Sequence, residues 1–261
     1  MDSISVILVD KFLILLLVFV RMSSLFVITP VFGRTELPAY MKIGLAFFCS
    51  YTLVPILGNV QIEYTSLLSF AVIVAKEFLV GIILGYVSFL VFSAIYLAGQ
   101  IIDMQIGFGM VNVLDPTMNT QVPLTGNFVY ILTTLFFLSI DGHHVLLSAL
   151  FKSYSVLPIN GFAFTEAMVN NMTTIFSDVF VLGFKISIPV LAAALLSEVA
   201  LGILSKTVPQ MNVFVVGMPL KIAIGLLTLY VMMPIFLQIM TVTFDRMYGY
   251  IYLIIRSMAK G

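Results

Sequence analysis

The chain contains no tryptophan, a single cysteine and very little charge. Only 9% of its 261 residues are charged, whereas soluble domains carry about 25%, so the composition excludes an ordinary globular protein. Twelve basic and twelve acidic side chains cancel, which leaves no positive field to attract nucleic acid. Cys49 has no second cysteine with which to form an internal disulfide, and we expect it to be a small buried hydrophobic residue.

Apolar residues make up 61% of the chain, and the mean hydropathy is +1.17. These values predict an all-α integral membrane protein with about six to eight long, kinked apolar helices. No small-residue cleavage site follows the first apolar block, so we expect that block to be a retained helix. The long blocks are 12–32, 43–60, 67–99, 126–140, 173–204 and 213–240, with a shorter block at 145–159 and an amphipathic tail at 244–258.

The longest blocks do not fit plain membrane spans. A helix over 67–99 would extend to about 50 Å, whereas the hydrocarbon core is about 30 Å thick. Charged residues inside or next to the blocks are Arg21, Lys76, Glu77, Asp103, Lys185, Glu198 and Lys221. A charge at mid-bilayer costs about 2.5–3.5 kcal/mol, so we expect all of these groups other than Arg21 to pair with partner chains or to reach water, with a proton or ion relay as the alternative.

Proline residues interrupt several of the apolar blocks. Proline inside an apolar helix frees backbone groups that only a neighbouring helix or a cavity can satisfy. We therefore expect helices that are buried against other subunits of an obligate complex and broken at Pro30, Pro55, Pro189, Pro219 and Pro234.

The segment 103–123 is predicted to be neither a membrane helix nor a loop that faces only water. Gly107 and Gly109 break helical pairing, and the Asp115-Pro116 step favours a turn. The segment nevertheless carries the apolar residues Met104, Ile106, Phe108, Met110, Val111, Val113, Leu114 and Met118. Flexible backbone with thioether and phenyl groups suits a seal that closes a passage and later moves aside; ordinary core packing is the alternative.

Two further motifs have plainer interpretations. Gly81 and Gly85 form a GxxxG motif, which predicts close approach of two helices. The sequence Asp141-Gly-His-His144 suggests a metal site, but adjacent histidines on a helix point about 100° apart, so a turn before a new helix is favoured. The chain has no nucleophile elbow, Walker loop, zinc spacing or dinucleotide fingerprint. We therefore predict no catalysis, no cofactor and no metal.

The order and spacing of many residues resemble the FliR/SpaR/YscT family, the R subunits of type III export gates, in its flagellar form. At the start and in the centre of the chain, the residues that carry this resemblance are Arg21, Pro30, Pro38, Lys42, Ala46, Gln105, Gly107, Asp115, Pro116 and Pro123. Later in the chain they are Gly142, His143, Leu157, Pro158, Pro209, Gln210, Phe214, Gly217, Pro219 and Gly225.

This resemblance implies a non-enzymatic subunit of the export gate in the bacterial inner membrane, at the flagellar basal body. Such a subunit assembles with FliP and FliQ at the channel entrance for unfolded flagellar proteins, with FlhB and FlhA as further partners. A P-like part over about 1–170 would be followed by a Q-like helical hairpin over about 171–261.

The resemblance also implies roles for particular residues. The loop at about 106–122 would be a plug, with Gly107, Phe108, Gly109, Met110, Val111, Asp115, Pro116 and Met118 as gate residues. Subunit packing would involve Pro209, Gln210, Gly217 and Pro219. The GxxxG motif adds Gly81 and Gly85 to the predicted packing residues, with a helix contact inside the chain as the alternative. The alternative function is a secondary transporter of small molecules or ions, with Glu77, Lys185, Glu198 and Lys221 as coupling groups.

Overall fold

The computed structural model describes residues 3–58, 62, 64–108, 123–210 and 212–259, with side chains from residue 9 onward except at 213 and 214. Within these ranges the chain forms seven helices and no strand, apart from an isolated bridge between Phe162 and Ala259. The predicted all-α class is confirmed. The helices are α1 (Ser3–Ile28), α2 (Ala39–Leu57), α3 (Leu67–Ile106), α4 (Leu124–Ser139), α5 (Gly142–Val156), α6 (Glu166–Thr207) and α7 (Val213–Met258).

Among the described residues, five helices are long and apolar enough to span a membrane. A sixth span results if α4 and α5, which meet at a bend of 67°, are counted as one. Three helices are far longer than a span needs: α3 has 40 residues, α6 has 42 and α7 has 46. The predicted excess length is confirmed, but the block at 67–99 continues to Ile106, and the tail at 244–258 is the end of α7 rather than a separate helix.

The prediction that proline breaks the helices is wrong for four of the five prolines. Helix α2 continues through Pro55, α6 through Pro189, and α7 through Pro219 and Pro234. Each proline lacks a backbone N–H, so the helix loses one of its many backbone hydrogen bonds at that position. The flanking turns keep their own hydrogen bonds. Only Pro30 lies outside a helix, two residues beyond the end of α1.

The chain divides into two compact units. Unit 1 contains Met1–Leu90, Asp141–Phe176 and Asp245–Gly261, and unit 2 contains Val91–Ile140 and Ser177–Phe244. Each of the three longest helices, α3, α6 and α7, therefore contributes residues to both units. The separate prediction of a P-like part and a Q-like hairpin stays a prediction.

In unit 1, α1 packs closely against α3 because two glycines leave room for it. A Cβ on Gly81 would overlap the Ser24 hydroxyl and the Arg21 carbonyl oxygen. A Cβ on Gly85 would lie 3.1 Å from the Leu25 carbonyl oxygen. Both glycines of the GxxxG motif thus face α1 of the same chain, and their part in subunit packing stays a prediction. Cys49 is buried, as expected.

Candidate functional site at the base of the central segment

Helix α3 ends where the sequence predicted that helical pairing would stop. Gly107 has a φ of +102°, in the left-handed region that favours glycine, and its N–H donates to the Asp103 carbonyl oxygen at 3.1 Å. The residues before it are helical, which corrects the predicted start of the loop. Ile106 is fully buried within α3, and Met104 is an exposed α3 residue.

Phe108 lies on an apolar surface built by three helices of unit 2. It packs, partly buried, against a cluster formed by Ile102 and Ile106 of α3 and Val190 of α6. Leu229 of α7 contacts the same cluster. Phe108, one of the residues predicted to form the seal, is therefore in contact with apolar side chains of its own chain. The other predicted gate residues lie outside the described residues: Gly109, Met110, Val111, Asp115, Pro116 and Met118.

The first turn of α4 is capped from a distance by Asp103. The N–H of Thr125 lies 3.0 Å from both carboxylate oxygens of Asp103, and the N–H of Gly126 lies 3.3 Å from one of them. Pro123 occupies the N-cap position and has no side-chain acceptor for these amides. Because Asp103 is only 5% exposed, the carboxylate depends on these donors in place of water.

Close contact between α3 and α4 lets the carboxylate reach the amides. A Cβ on Gly99 would overlap the backbone of Gly126, so the two helices touch backbone to backbone at this point. Thr125 is also buried. The α3 end and the α4 start are therefore held together, and we call this contact of Gly99, Asp103, Thr125 and Gly126 the α3–α4 junction.

The sequence predicts Asp103 only as one of the charged residues next to the apolar blocks, and its capping role is not among the predictions. No local pattern indicates this role, because Asp103 reaches the amide of Thr125 across 22 residues of the chain. An apolar cleft lies in the same unit, lined by residues that include Ala98, Ile102, Phe128, Val190, Leu229 and Met233.

A buried ionic network in unit 1 corrects the prediction that the charges pair with other chains. Nε of Arg21 donates to Glu77 at 2.6 Å, and both side chains are 0% exposed. Nη1 of Arg21 also donates to the Ser153 hydroxyl at 3.1 Å and to the Leu157 carbonyl oxygen at 3.2 Å. The guanidinium lies 3.9 Å from the centre of the Tyr154 ring.

Other charges also find partners within the chain. The second oxygen of Glu77 accepts the N–H of Asn160 at 3.0 Å, and Lys76 donates to the side chain of Asn160 at 2.8 Å. In unit 2, Lys221 forms an ion pair with Glu198. These pairings are possible because residues far apart in sequence meet on neighbouring helices.

The Asp141–His144 segment is a turn before a helix, as predicted. Asp141 has a φ of +57° and precedes α5. The expectation that the histidines point apart is wrong, since their ring centres lie 4.1 Å apart and ligand atoms of Asp141, His143 and His144 lie within 4.8 Å of one another. These distances would suit a metal ion, but the positive end of the α5 dipole disfavours a cation there.

The remaining predicted packing residues lie near the junction of α6 and α7. Pro209 and Gln210 form an exposed turn between these helices. Gly217 is buried and Pro219 is exposed, both in the first turns of α7. Their part in subunit packing stays a prediction.

The long apolar helices define an all-α integral membrane protein. Residues 12–247 match the family model described as bacterial export proteins, family 1, and the chain belongs to that family. It is 39% identical to the flagellar biosynthetic protein FliR of Bacillus subtilis over 235 residues, covering 87% of this chain and 88% of the relative.

Two other relatives extend the comparison. The chain is 31% identical to the flagellar biosynthetic protein FliR of Aquifex aeolicus, with 87% of this chain and 88% of the relative covered. It is 32% identical to the Yop proteins translocation protein T of Yersinia pestis, with 81% and 82% covered. The family and these relatives identify a membrane subunit of a flagellar or type III protein export apparatus.

Proposed function

We propose that this chain is a non-enzymatic pore subunit of the flagellar type III export gate in the bacterial inner membrane. It assembles with FliP-like and FliQ-like subunits at the channel entrance for unfolded flagellar proteins, and FlhB-like and FlhA-like components contact the assembly. The family match over residues 12–247 is the observation that carries this proposal. Transport is driven by the proton-motive force and a separate ATPase rather than by chemistry in this chain.

The length and exposure of α7 support assembly with other subunits. Its 46 residues correspond to a helix of about 70 Å, more than twice the thickness of the hydrocarbon core. Within its most apolar stretch only 11% of the residues are buried by the chain itself. The end of the helix packs within the chain, where Phe244, Met247, Ile251 and Met258 are buried. Lipid together with other protein chains covers the exposed apolar stretch that precedes it.

In this assembly the central segment 107–122 acts as the plug. Gly107 already has the left-handed backbone that lets the chain turn sharply away from α3, and with Gly109 it serves as the hinge. Phe108, Met110, Val111 and Met118 seal the passage by apolar contact, which needs no particular substrate sequence. Asp115-Pro116 fixes the return of the loop. The apolar contact of Phe108 with the Ile102 cluster supports this role.

The plug is tested by replacing residues 107–110 with small polar residues. Cells that carry the assembled complex with this variant should leak ions, because the apolar seal is lost. Ion conductance is measured in membrane vesicles with matched amounts of complex. Unchanged conductance, with assembly intact, would count against the plug.

The alternative of a secondary transporter is less well supported. Three of its four coupling groups, Glu77, Glu198 and Lys221, are engaged in ion pairs within the chain. The two functions differ in what purifies with the chain. An export subunit should be stable only together with two other small, very apolar proteins, whereas a transporter should be stable alone and lose uptake when one carboxylate is neutralised.

A further inference from the structure

The contact between α3 and α4 points to a mechanical role for a single carboxylate. Asp103 takes the place of the side-chain cap that Pro123 cannot provide, and it accepts from two amides of the first turn of α4. The carboxylate carries the negative charge that a helix N-terminus prefers. Asp103 therefore joins the end of α3 to the start of α4, because its carbonyl oxygen accepts from Gly107 and its carboxylate accepts from Thr125 and Gly126.

We infer that Asp103 is a positioning residue that keeps the α3–α4 junction closed when the gate opens. This inference rests on the proposed gate function and adds which part of the gate subunit stays fixed: α3 and α4 remain together at this junction. Asp103 touches no substrate. It acts through the backbone of Thr125 and Gly126, whose position sets where the segment returns.

Two features of the junction oppose its opening. If α3 separated from α4, the buried carboxylate and at least two amide donors would lose their charge-assisted hydrogen bonds. This loss is costly because the site is apolar. It would also open the backbone contact between Gly99 and Gly126. In contrast, Gly107 can change its backbone angles at low cost because it has no side chain.

The experiment compares substitutions in the assembled complex. Asp103→Asn removes the charge and one acceptor, and Asp103→Glu keeps the charge but moves the carboxylate by one methylene. Gly99→Ala leaves the carboxylate intact but forces the helices apart. The matched controls are Glu198→Gln, which removes a half-exposed carboxylate in the same unit, and Gly202→Ala, whose Cβ meets nothing within 4 Å.

Two readouts are measured: ion conductance per assembled complex, and hydrogen exchange of the Thr125 and Gly126 amides. For Asp103→Asn we expect both to rise about tenfold, since losing a charged hydrogen bond shifts an opening equilibrium by that order. Gly99→Ala should behave similarly, and Asp103→Glu should lie between Asp103→Asn and the wild type. Both controls should match the wild type.

The outcomes separate this inference from the gate proposal. If replacement of residues 107–110 causes a leak but Asp103→Asn and Gly99→Ala change neither readout, the role of Asp103 is overturned while the gate stands. If the replacement causes no leak, the gate proposal fails, and faster exchange of the two amides still tests the junction. If both Asp103 variants only lower the amount of complex, with no change per complex, Asp103 serves folding alone and the inference is wrong.

Discussion

An ion pair in unit 1 and an ion pair in unit 2 differ sharply in their surroundings, although both join apolar helices. Arg21 and Glu77 are both 0% exposed, and further groups from α5 and the turn after it bind them. Lys221 and Glu198 are 20% and 46% exposed. The buried pair can persist without water because neighbouring groups bind most of its polar atoms, although Nη2 of Arg21 has no hydrogen-bond partner among the described residues. Water or another molecule can reach the second pair.

The difference assigns the two pairs to different tasks. Arg21 lies on α1, Glu77 on α3 and Ser153 on α5, so the buried network joins three helices of unit 1. Loss of one partner would leave a charge with no route to solvent. The Lys221–Glu198 pair neutralises two charges on helices α6 and α7 that are otherwise largely apolar, and either residue can be changed at small cost to the fold.

The largest effect should come from breaking the buried pair. Arg21→Met leaves Glu77 as an uncompensated buried charge, so the free energy of unfolding should fall by about 3–5 kcal/mol. Thermal unfolding of the detergent-purified complex measures the loss, with Lys221→Met as the control. Equal losses for the two variants would contradict the contrast between the pairs.

A double substitution sharpens this prediction. Arg21→Met together with Glu77→Met removes both charges, so it should recover part of the lost stability, leaving mainly the loss of the acceptor for the Asn160 N–H. A double variant that is no more stable than Arg21→Met would show that the stranded charge is not the cause.

An intermediate effect is expected at the glycine beside this network. Gly81→Ala places a methyl group against the Arg21 carbonyl oxygen and the Ser24 hydroxyl, so overpacking should cost about 1–3 kcal/mol. Gly202→Ala is the matched control, because its Cβ meets open space within a helix. Its unfolding midpoint should stay the same or rise slightly. The idea fails if the two alanine variants unfold at the same midpoint.

The smallest effect should come from the exposed pair. Glu198→Gln should change the free energy of unfolding by less than about 1 kcal/mol, because exposed ion pairs contribute little. Raising the salt concentration should reduce even this difference. A loss as large as that of Arg21→Met would show that the pair is buried in the assembled protein by partner chains.

The sequence predicted the parts of the fold that depend on local composition. Long apolar runs predicted the helices, although α3 continues past the predicted block end at 99 to Ile106. Gly107 predicted a break in helical pairing, and Asp141-Gly142 predicted a turn. Each of these depends on a few consecutive residues.

The contacts that depend on tertiary structure could not be predicted in this way. Arg21 and Glu77 are 56 residues apart, and Asp103 reaches Thr125 across 22 residues. Such pairs can be identified only once the packing of the helices against one another is known. The prolines were misjudged for a related reason, since a helix continues through proline when flanking turns and neighbours stabilise it.

The central claim is that the segment after Gly107 lies in the path of exported proteins. The most direct test places a photo-crosslinking amino acid at position 110 and, as a control, at the exposed α3 position 104, in cells with a substrate stalled during export. The account predicts crosslinks from position 110 to the stalled substrate, and to neighbouring subunits when export is idle, with none to substrate from position 104. Substrate crosslinks absent from position 110, in a complex that assembles and exports normally, would contradict it.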